Sequence, residues 1–196
     1  HIADSAFLKT ISHLSAGISE QALANQLNCN MRNEGASKES FDLIVTSGER
    51  GTLIHGEPSH KKIEAGELVI IDFGCIYGMY SSDCTRTVCL EEPGNQQKNI
   101  FNIIKEVQAE TLEVIKAGVS CSELDNFARS RIAEKGYGDY FLHSLGHGVG
   151  LDIHELPRLN INDHTILEPG MVITIEPGIY VPGIGGVRIE DTVVVT

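Results

Sequence analysis

GELVIIDFGCIYGMYSSDCTRTVCL, from Gly66 to Leu90, is the segment on which the fold turns. Leu68, Val69, Ile70 and Ile71 form an apolar, largely β-branched run too short for a helix, and Gly74 and Gly78 punctuate the residues after it. The segment therefore predicts two strands joined by a turn at Tyr77 and Gly78. A hairpin centred there sets Asp72 directly opposite Asp83. Cross-strand neighbours of this kind lie roughly 4.5–5.5 Å apart at Cβ, where like charges repel. Either one carboxylate keeps a proton at neutral pH or a cation sits between the two. From the hairpin alone, a register slipped by one or two residues, with both acids solvated, is an equal alternative.

The same pattern occurs twice along the chain. Phe7, Leu8, Ile11 and Leu14 follow helical spacing up to Ala16 and Gly17, and Ser19 caps a second helix carrying Leu23, Leu27 and Met31 that ends at Gly35. Ile100, Ile104, Val107, Val114 and Ile115 form the next helical stripe, closed by Ala117 and Gly118. Ser120 and Glu123 then make a capping box before Leu124, Phe127 and Ile132, and that helix stops at Gly136. Gly17 and Gly118, Ser19 and Ser120, and Gly35 and Gly136 share one spacing of 101 residues. LIHGEP around His55 matches DIHELP around His154, and EAGELVIIDFG matches EPGMVITIEPG, so that Asp72 falls on Glu176. Asp83 lands near Glu190. A second hairpin turning at Gly183 sets Glu176 opposite Glu190, so each half offers a facing pair of acids. The expectation is an α+β fold of duplicated helix-helix-strand halves, about 1–94 and 95–196, related by a pseudo-twofold axis that brings four carboxylates into one cleft.

Composition narrows the partners. With 196 residues and 41% hydrophobic content the chain can bury a sizeable core as one domain. A formal net charge of −12, from 27 acids against 15 lysines and arginines, argues against nucleic acid and anionic membranes. No apolar run nears the roughly 20 residues of a membrane span, and no signal segment opens the chain. Cys29, Cys75, Cys84, Cys89 and Cys121 are odd in number and lack CxxC spacing, which fits small core residues in a reducing, cytoplasmic setting. The chain opens on His1 within an apparent helix, which reads as a fragment of a longer protein.

Four acids on apolar strands stay ionised only with cations beside them, and oxygen ligands with an imidazole suit Mn²⁺, Co²⁺, Fe²⁺ or Zn²⁺ at two adjacent positions. The imidazole is expected from FLHSLGHGVGL, where His143 and His147 share a face of an extended segment and glycines 146, 148 and 150 allow close backbone approach. His55 and His154 fall on opposite walls of the cleft, suited to hydrogen bonding or proton transfer around a carbonyl. Arg188 is expected to orient Glu190 from the same strand face, and Arg86 to make an ordinary ion pair.

Asp72 in VIIDFG, Asp83 in SSDCTRT, His147 in HSLGHGVGL, Glu176 in ITIEPGIY and Glu190 in VRIEDT resemble the five metal ligands of the pita-bread metallopeptidases. That family includes methionine aminopeptidases, aminopeptidase P and prolidases. The resemblance covers nearly the whole chain and implies that Asp72 holds one metal, that Asp83 and Glu190 bridge both, and that His147 and Glu176 complete the second. It implies hydrolysis of an N-terminal peptide bond through a metal-bridging water or hydroxide, with Glu176 as the proton carrier and His55 and His154 steadying substrate. His143, HELP, EPGIY and the Arg188 to Asp191 run resemble the Xaa-Pro branch. By family habit that branch uses two Mn²⁺, takes a peptide with proline second, bound by His55, His143, His154 and Arg188, and carries an extra N-terminal domain. A homodimer stays open. The alternatives are a methionine aminopeptidase, a non-catalytic binding module that has lost ligands, and a metal-free creatinase-like hydrolase; all five ligand types are present here.

Overall fold

The computed structural model describes residues 1–196. Helix α1 (Ile2–Ile11) lies on α2 (Glu20–Asn33), which buries Leu23, Leu27 and Met31 completely. The Ser19 side chain accepts from Ala22 N and caps α2. In the second half α3 (Asn95–Val114) packs on α4 (Cys121–Glu134), and Ser120 and Glu123 form the expected capping box. The matched glycines after the helices take left-handed backbone: φ is 87° at Gly17 and 94° at Gly118, 109° at Gly35 and 86° at Gly136. A Cβ at any of them would meet nothing within 4 Å, so conformation rather than space demands glycine.

The first half supplies β1 (Lys38–Glu39), β2 (Ile44–Ser47), β3 (Leu68–Phe73), β4 (Cys75–Tyr77), β5 (Tyr80–Ser81) and β6 (Cys84–Cys89). Strands β2-β3-β6 form an antiparallel sheet, and every residue of β3 is buried because helices cover one face and the second half meets the other. The second half supplies β7 (Gly146–Gly148), β8 (Glu155–Leu159), β9 (Val172–Ile175), β10 (Gly178–Val181), β11 (Gly185–Arg188) and β12 (Asp191–Val194). Its sheet runs β12-β9-β7-β8, so β7, β9 and β12 repeat β2, β3 and β6, with β8 added at the edge. Each half encloses an apolar core, one around Leu27, Ile71 and Phe73, the other around Ile104, Leu124 and Ile175. The cysteines form no disulfide; Cys75, Cys84 and Cys121 are buried, as core residues should be, while Cys29 is exposed. No helix is long and apolar enough to cross a membrane.

The two hairpins differ from expectation in one respect. Gly178 pairs with Arg188 and Ile175 with Asp191, so Glu176 and Glu190 fall opposite each other about Gly183, as their spacing predicts. In the first hairpin Asp72 pairs with Thr85, not Asp83. The tip turns at Gly78 and Met79, with φ of 58° and 74°, between the paired Tyr77 and Tyr80. A tight hairpin turn of this hand needs positive φ at both central residues, and Gly78 takes the first of them rather than the second. The register moves by two residues, which keeps Asp83 on the same face as Asp72.

The halves meet along a seam. The Glu190 amide donates to Thr85 O, Thr87 Oγ1 donates to Arg188 O, and Thr192 Oγ1 donates to Asp83 O. Strand β6 is thus joined to the segment running from β11 into β12, and the cleft opens beside this join.

Candidate metal centre

A cavity of about 660 Å³ lies at the seam, lined by Asp72, Asp83, His147, Glu176 and Glu190 together with His55, His143, His154, Arg158 and Arg188. The ligand atoms of Asp83, His147 and Glu190 all lie within 4.8 Å of one another. His147 Nε2 is 3.4 Å from Asp83 Oδ2 and 3.5 Å from Glu176 Oε1. Asp72 lines the same cavity from the end of β3.

The hydrogen bonds fix which atoms face inward. His147 Nδ1 is 2.9 Å from the Gly148 carbonyl, which can only accept, so Nδ1 carries a proton and Nε2 is the ring atom turned toward two carboxylates. Asp72 Oδ2 accepts from Arg188 Nη2 at 2.6 Å, and Glu190 Oε2 accepts from Thr85 Oγ1 at 2.7 Å. Their other oxygens, Asp72 Oδ1 and Glu190 Oε1, are buried without a partner. Glu176 Oε1 accepts from Thr174 Oγ1 at 3.3 Å, while Thr174 Oγ1 accepts from His147 N. One side of each group is anchored, and the bare side converges on the cavity.

Electrostatics point the same way. Burial, then the neighbouring Asp72, pushes the Asp83 carboxyl up to about 8. Burial and the Asp83 charge raise Glu190 well above the usual carboxylate range, and burial with Glu190 does the same to Glu176. Such a cluster resists ionisation by itself. Divalent cations fit these donors: a bare imidazole nitrogen, orphaned carboxylate oxygens and uncompensated negative charge in one place.

Arg188 does not orient Glu190 directly, contrary to expectation. It donates to Asp72, to Tyr180 Oη at 2.7 Å and to Thr85 Oγ1 at 3.2 Å, and reaches Glu190 only through that threonine. Its partner lies in the other half of the chain, where strand-face counting cannot see it. It is 2% exposed and lines the cavity. Arg86 makes the expected ion pair, with Asp191 at 2.7 Å.

His143 and His147 do not share a continuous strand, since β7 begins at Gly146 and His143 lies in the preceding loop. His143 Nδ1 faces Ser144 O at 2.8 Å, so its Nε2 accepts from Tyr180 Oη at 2.8 Å. Burial, then Arg188, lowers His143 to about 3, keeping it neutral. His55 and His154 both line the cavity, and the His154 ring stands edge-on to His147 at 4.5 Å between centroids. Burial, then His147, holds His154 below the usual histidine value.

Sequence reasoning missed Thr85, Thr174, Tyr180 and Arg158. Alternation from Glu176 through Gly178 would have put Tyr180 on the same face. Arg158 pairs with His147 across β7 and β8, a register no local signal reveals. Every other arginine is ion-paired with a carboxylate; Arg158 is not, and it lines the cavity.

Residues 1–196 match the family model described as metallopeptidase family M24. An Xaa-Pro dipeptidase of Pyrococcus furiosus is 51% identical over 195 residues, covering 100% of this chain and 56% of that protein. The structure of an Xaa-Pro dipeptidase from Bacillus anthracis superposes with a TM-score of 0.98 at 52% identity, over 100% of this chain and 55% of that one. An X-Pro aminopeptidase from Thermotoga maritima gives 0.97 at 45% identity, over 99% and 55%. The chain therefore spans little more than half the length of these relatives, and all of it is matched. With its duplicated halves, its seam cavity and its full set of ligand-type residues, the chain belongs to metallopeptidase family M24 and has the pita-bread fold.

Proposed function

We propose that residues 1–196 form a single catalytic domain that hydrolyses the bond before proline in Xaa-Pro substrates, using two divalent cations, Mn²⁺ foremost. The observation that carries this reading is the convergence of Asp72 Oδ1 and Glu190 Oε1, both buried without a partner, with His147 Nε2, Asp83 and Glu176 around one cavity. When bound, the cations supply polarisation of the scissile carbonyl and a lowered pKa for the attacking water. Asp72, Asp83, His147, Glu176 and Glu190 are the residues that would hold them.

The chain's own groups divide the remaining work. Glu176 has Oε1 tied to Thr174 and Oε2 free toward the cavity, 4.0 Å from His143 Nδ1. Oε2 is the site that takes a proton from the attacking water and returns it to the departing proline nitrogen. His55 and His154, on the cavity wall, hydrogen-bond the substrate carbonyl as charge grows on its oxygen. Arg158 sits opposite His147 on the same strand face, and its guanidinium forms no ion pair with a carboxylate of the chain. A substrate carboxylate supplies that partner, which favours a dipeptide over a longer peptide.

The test is hydrolysis of an Xaa-Pro dipeptide and a longer Xaa-Pro peptide by the metal-stripped protein after adding Mn²⁺. Cleavage before proline that needs metal and vanishes in Glu176→Ala supports the reading. Arg158→Gln should raise KM for the dipeptide by about 10- to 100-fold, the weight of a charge-assisted hydrogen bond, and leave the longer peptide nearly unaffected. Cleavage of Met-Xaa peptides in preference to Xaa-Pro would replace this reading with a methionine aminopeptidase.

A further inference from the structure

We propose that the ion pair Asp125–Arg129 on α4, which lies outside the cavity, is a positioning device for His143, and through it for the approach to Glu176. This rests on the cavity being the reaction site proposed above.

Residues 141 to 145 are held from outside. The His143 end of this segment has neither helix nor strand, so its carbonyls need partners from elsewhere. Asp125 is 0% exposed and receives Arg129 as a fork, Nε to Oδ2 at 2.9 Å and Nη2 to Oδ1 at 3.0 Å. Arg129 then donates from Nη1 to Phe141 O at 2.9 Å and from Nη2 to His143 O at 3.0 Å. Asp125 Oδ1 also accepts from Leu145 N, which it shares with Leu159 O. One pair of side chains thus grips the backbone on both sides of His143.

A second route reaches the ring itself. The Arg129 guanidinium lies 4.3 Å over the Phe141 ring, and the His143 imidazole meets that ring edge-on at 5.2 Å between centroids. Phe141 is 3% exposed, so the stack of guanidinium, phenyl and imidazole has no room to slide. The far side of the imidazole is held by Tyr180 Oη and Ser144 O. Removing the guanidinium frees the backbone and the phenyl support together. A lysine keeps the charge beside Asp125, but as a point donor it lacks the planar fork that reaches two carbonyls while stacking on a ring.

A pair that merely ties α4 to a loop would be indifferent to what His143 does. The decisive experiment is a double-mutant cycle on the holoenzyme with Arg129→Lys and His143→Gln, read as kcat/KM on an Xaa-Pro dipeptide. Alongside it, the imidazole ¹⁵N spectrum reports whether His143 keeps its single Nδ1–H tautomer. Positioning predicts that Arg129→Lys lowers kcat/KM by about tenfold or more, that it costs nothing further once His143 is glutamine, and that the single-tautomer signature is lost. Additive losses, or an unchanged His143 signature, overturn the proposal. Phe141→Leu removes the ring contacts at this core position while leaving the backbone bonds of Arg129 possible, and it provides the same readouts should Arg129→Lys fold poorly. If the parent protein cleaves no Xaa-Pro substrate, the reaction reading fails, and the spectrum still decides whether Arg129 fixes the imidazole.

Discussion

Each half of the molecule braces a loop that carries a cavity-lining histidine with a buried carboxylate on its second helix, but by different means. Glu20, at the start of α2, accepts from Ser47 N and Oγ, Arg50 Nε, and Ser59 N and Oγ, and so closes the loop that carries His55. Asp125, within α4, works through Arg129 on the loop that carries His143. Both acids are 0% exposed. By the spacing that matches the other helix positions, Glu20 would fall on Cys121, so the role is repeated and the position is not. Duplication preserved the need to close a loop beside the cleft and left each half to find its own chemistry. The proposed ligands differ in the same manner: the first half presents only carboxylates, and the second adds the imidazole of His147.

The hardest blow to this picture of two cooperating halves removes one ligand from each. Asp83→Ala and Glu190→Ala should each lower kcat/KM by at least about a hundredfold and reduce bound metal measured by elemental analysis. If either variant kept full metal content and activity, the halves would not share one centre. Metal itself offers a second readout: if the proposed site takes Mn²⁺, the ion at about a hundred times its Kd should stabilise the parent by about 2.7 kcal/mol in denaturant titrations, and these variants by much less.

The braces come next. Glu20→Gln should cost about 3 kcal/mol, as expected when a buried, hydrogen-bonded charge loses its match. Burial raises the Glu20 pKa, but hydrogen bonds from Ser59, Ser47 and Arg50 outweigh it, leaving the folded value below the ordinary one. Its contribution is therefore present above the unfolded carboxylate pKa, about 4.3, and is lost as pH falls through the lower folded value. The gap between parent and Glu20→Gln should shrink from pH 6 to pH 3; a constant gap would show that the charge is not what stabilises the loop. The smallest effect is expected at the hairpin tips. The second turns on Gly183 at φ 77°, the first places Met79 at φ 74°. Met79→Asn, which tolerates this backbone, should raise stability by up to about 1 kcal/mol.

Much of the fold was legible because its signals are local. Caps at Ser19 and Ser120, glycines where the chain turns left-handed, and acids placed by strand period all act within a few residues. The pairing of Asp72 with Thr85 was not legible, because a methionine occupies a backbone region where sequence patterns expect glycine or asparagine. The five ligand-type residues stood out by type and context, yet their anchors did not. Arg188 reaches Asp72, and Thr85 reaches Glu190, across the boundary between halves. Such contacts are set by how two sheets dock, and no periodicity within either one encodes that.

The seam also carries a kinetic consequence. The bonds of Thr85, Thr87 and Thr192 that close it join residues 101 to 109 apart in the chain. Contacts of that separation form late, after most of the loop-closure entropy has been met by local structure. Neither half alone gathers Asp83 and Glu190, so the proposed metal cage does not exist until the two have docked. Folding therefore has to finish before metal is captured at full affinity, and a chain trapped with its halves apart would remain unable to load.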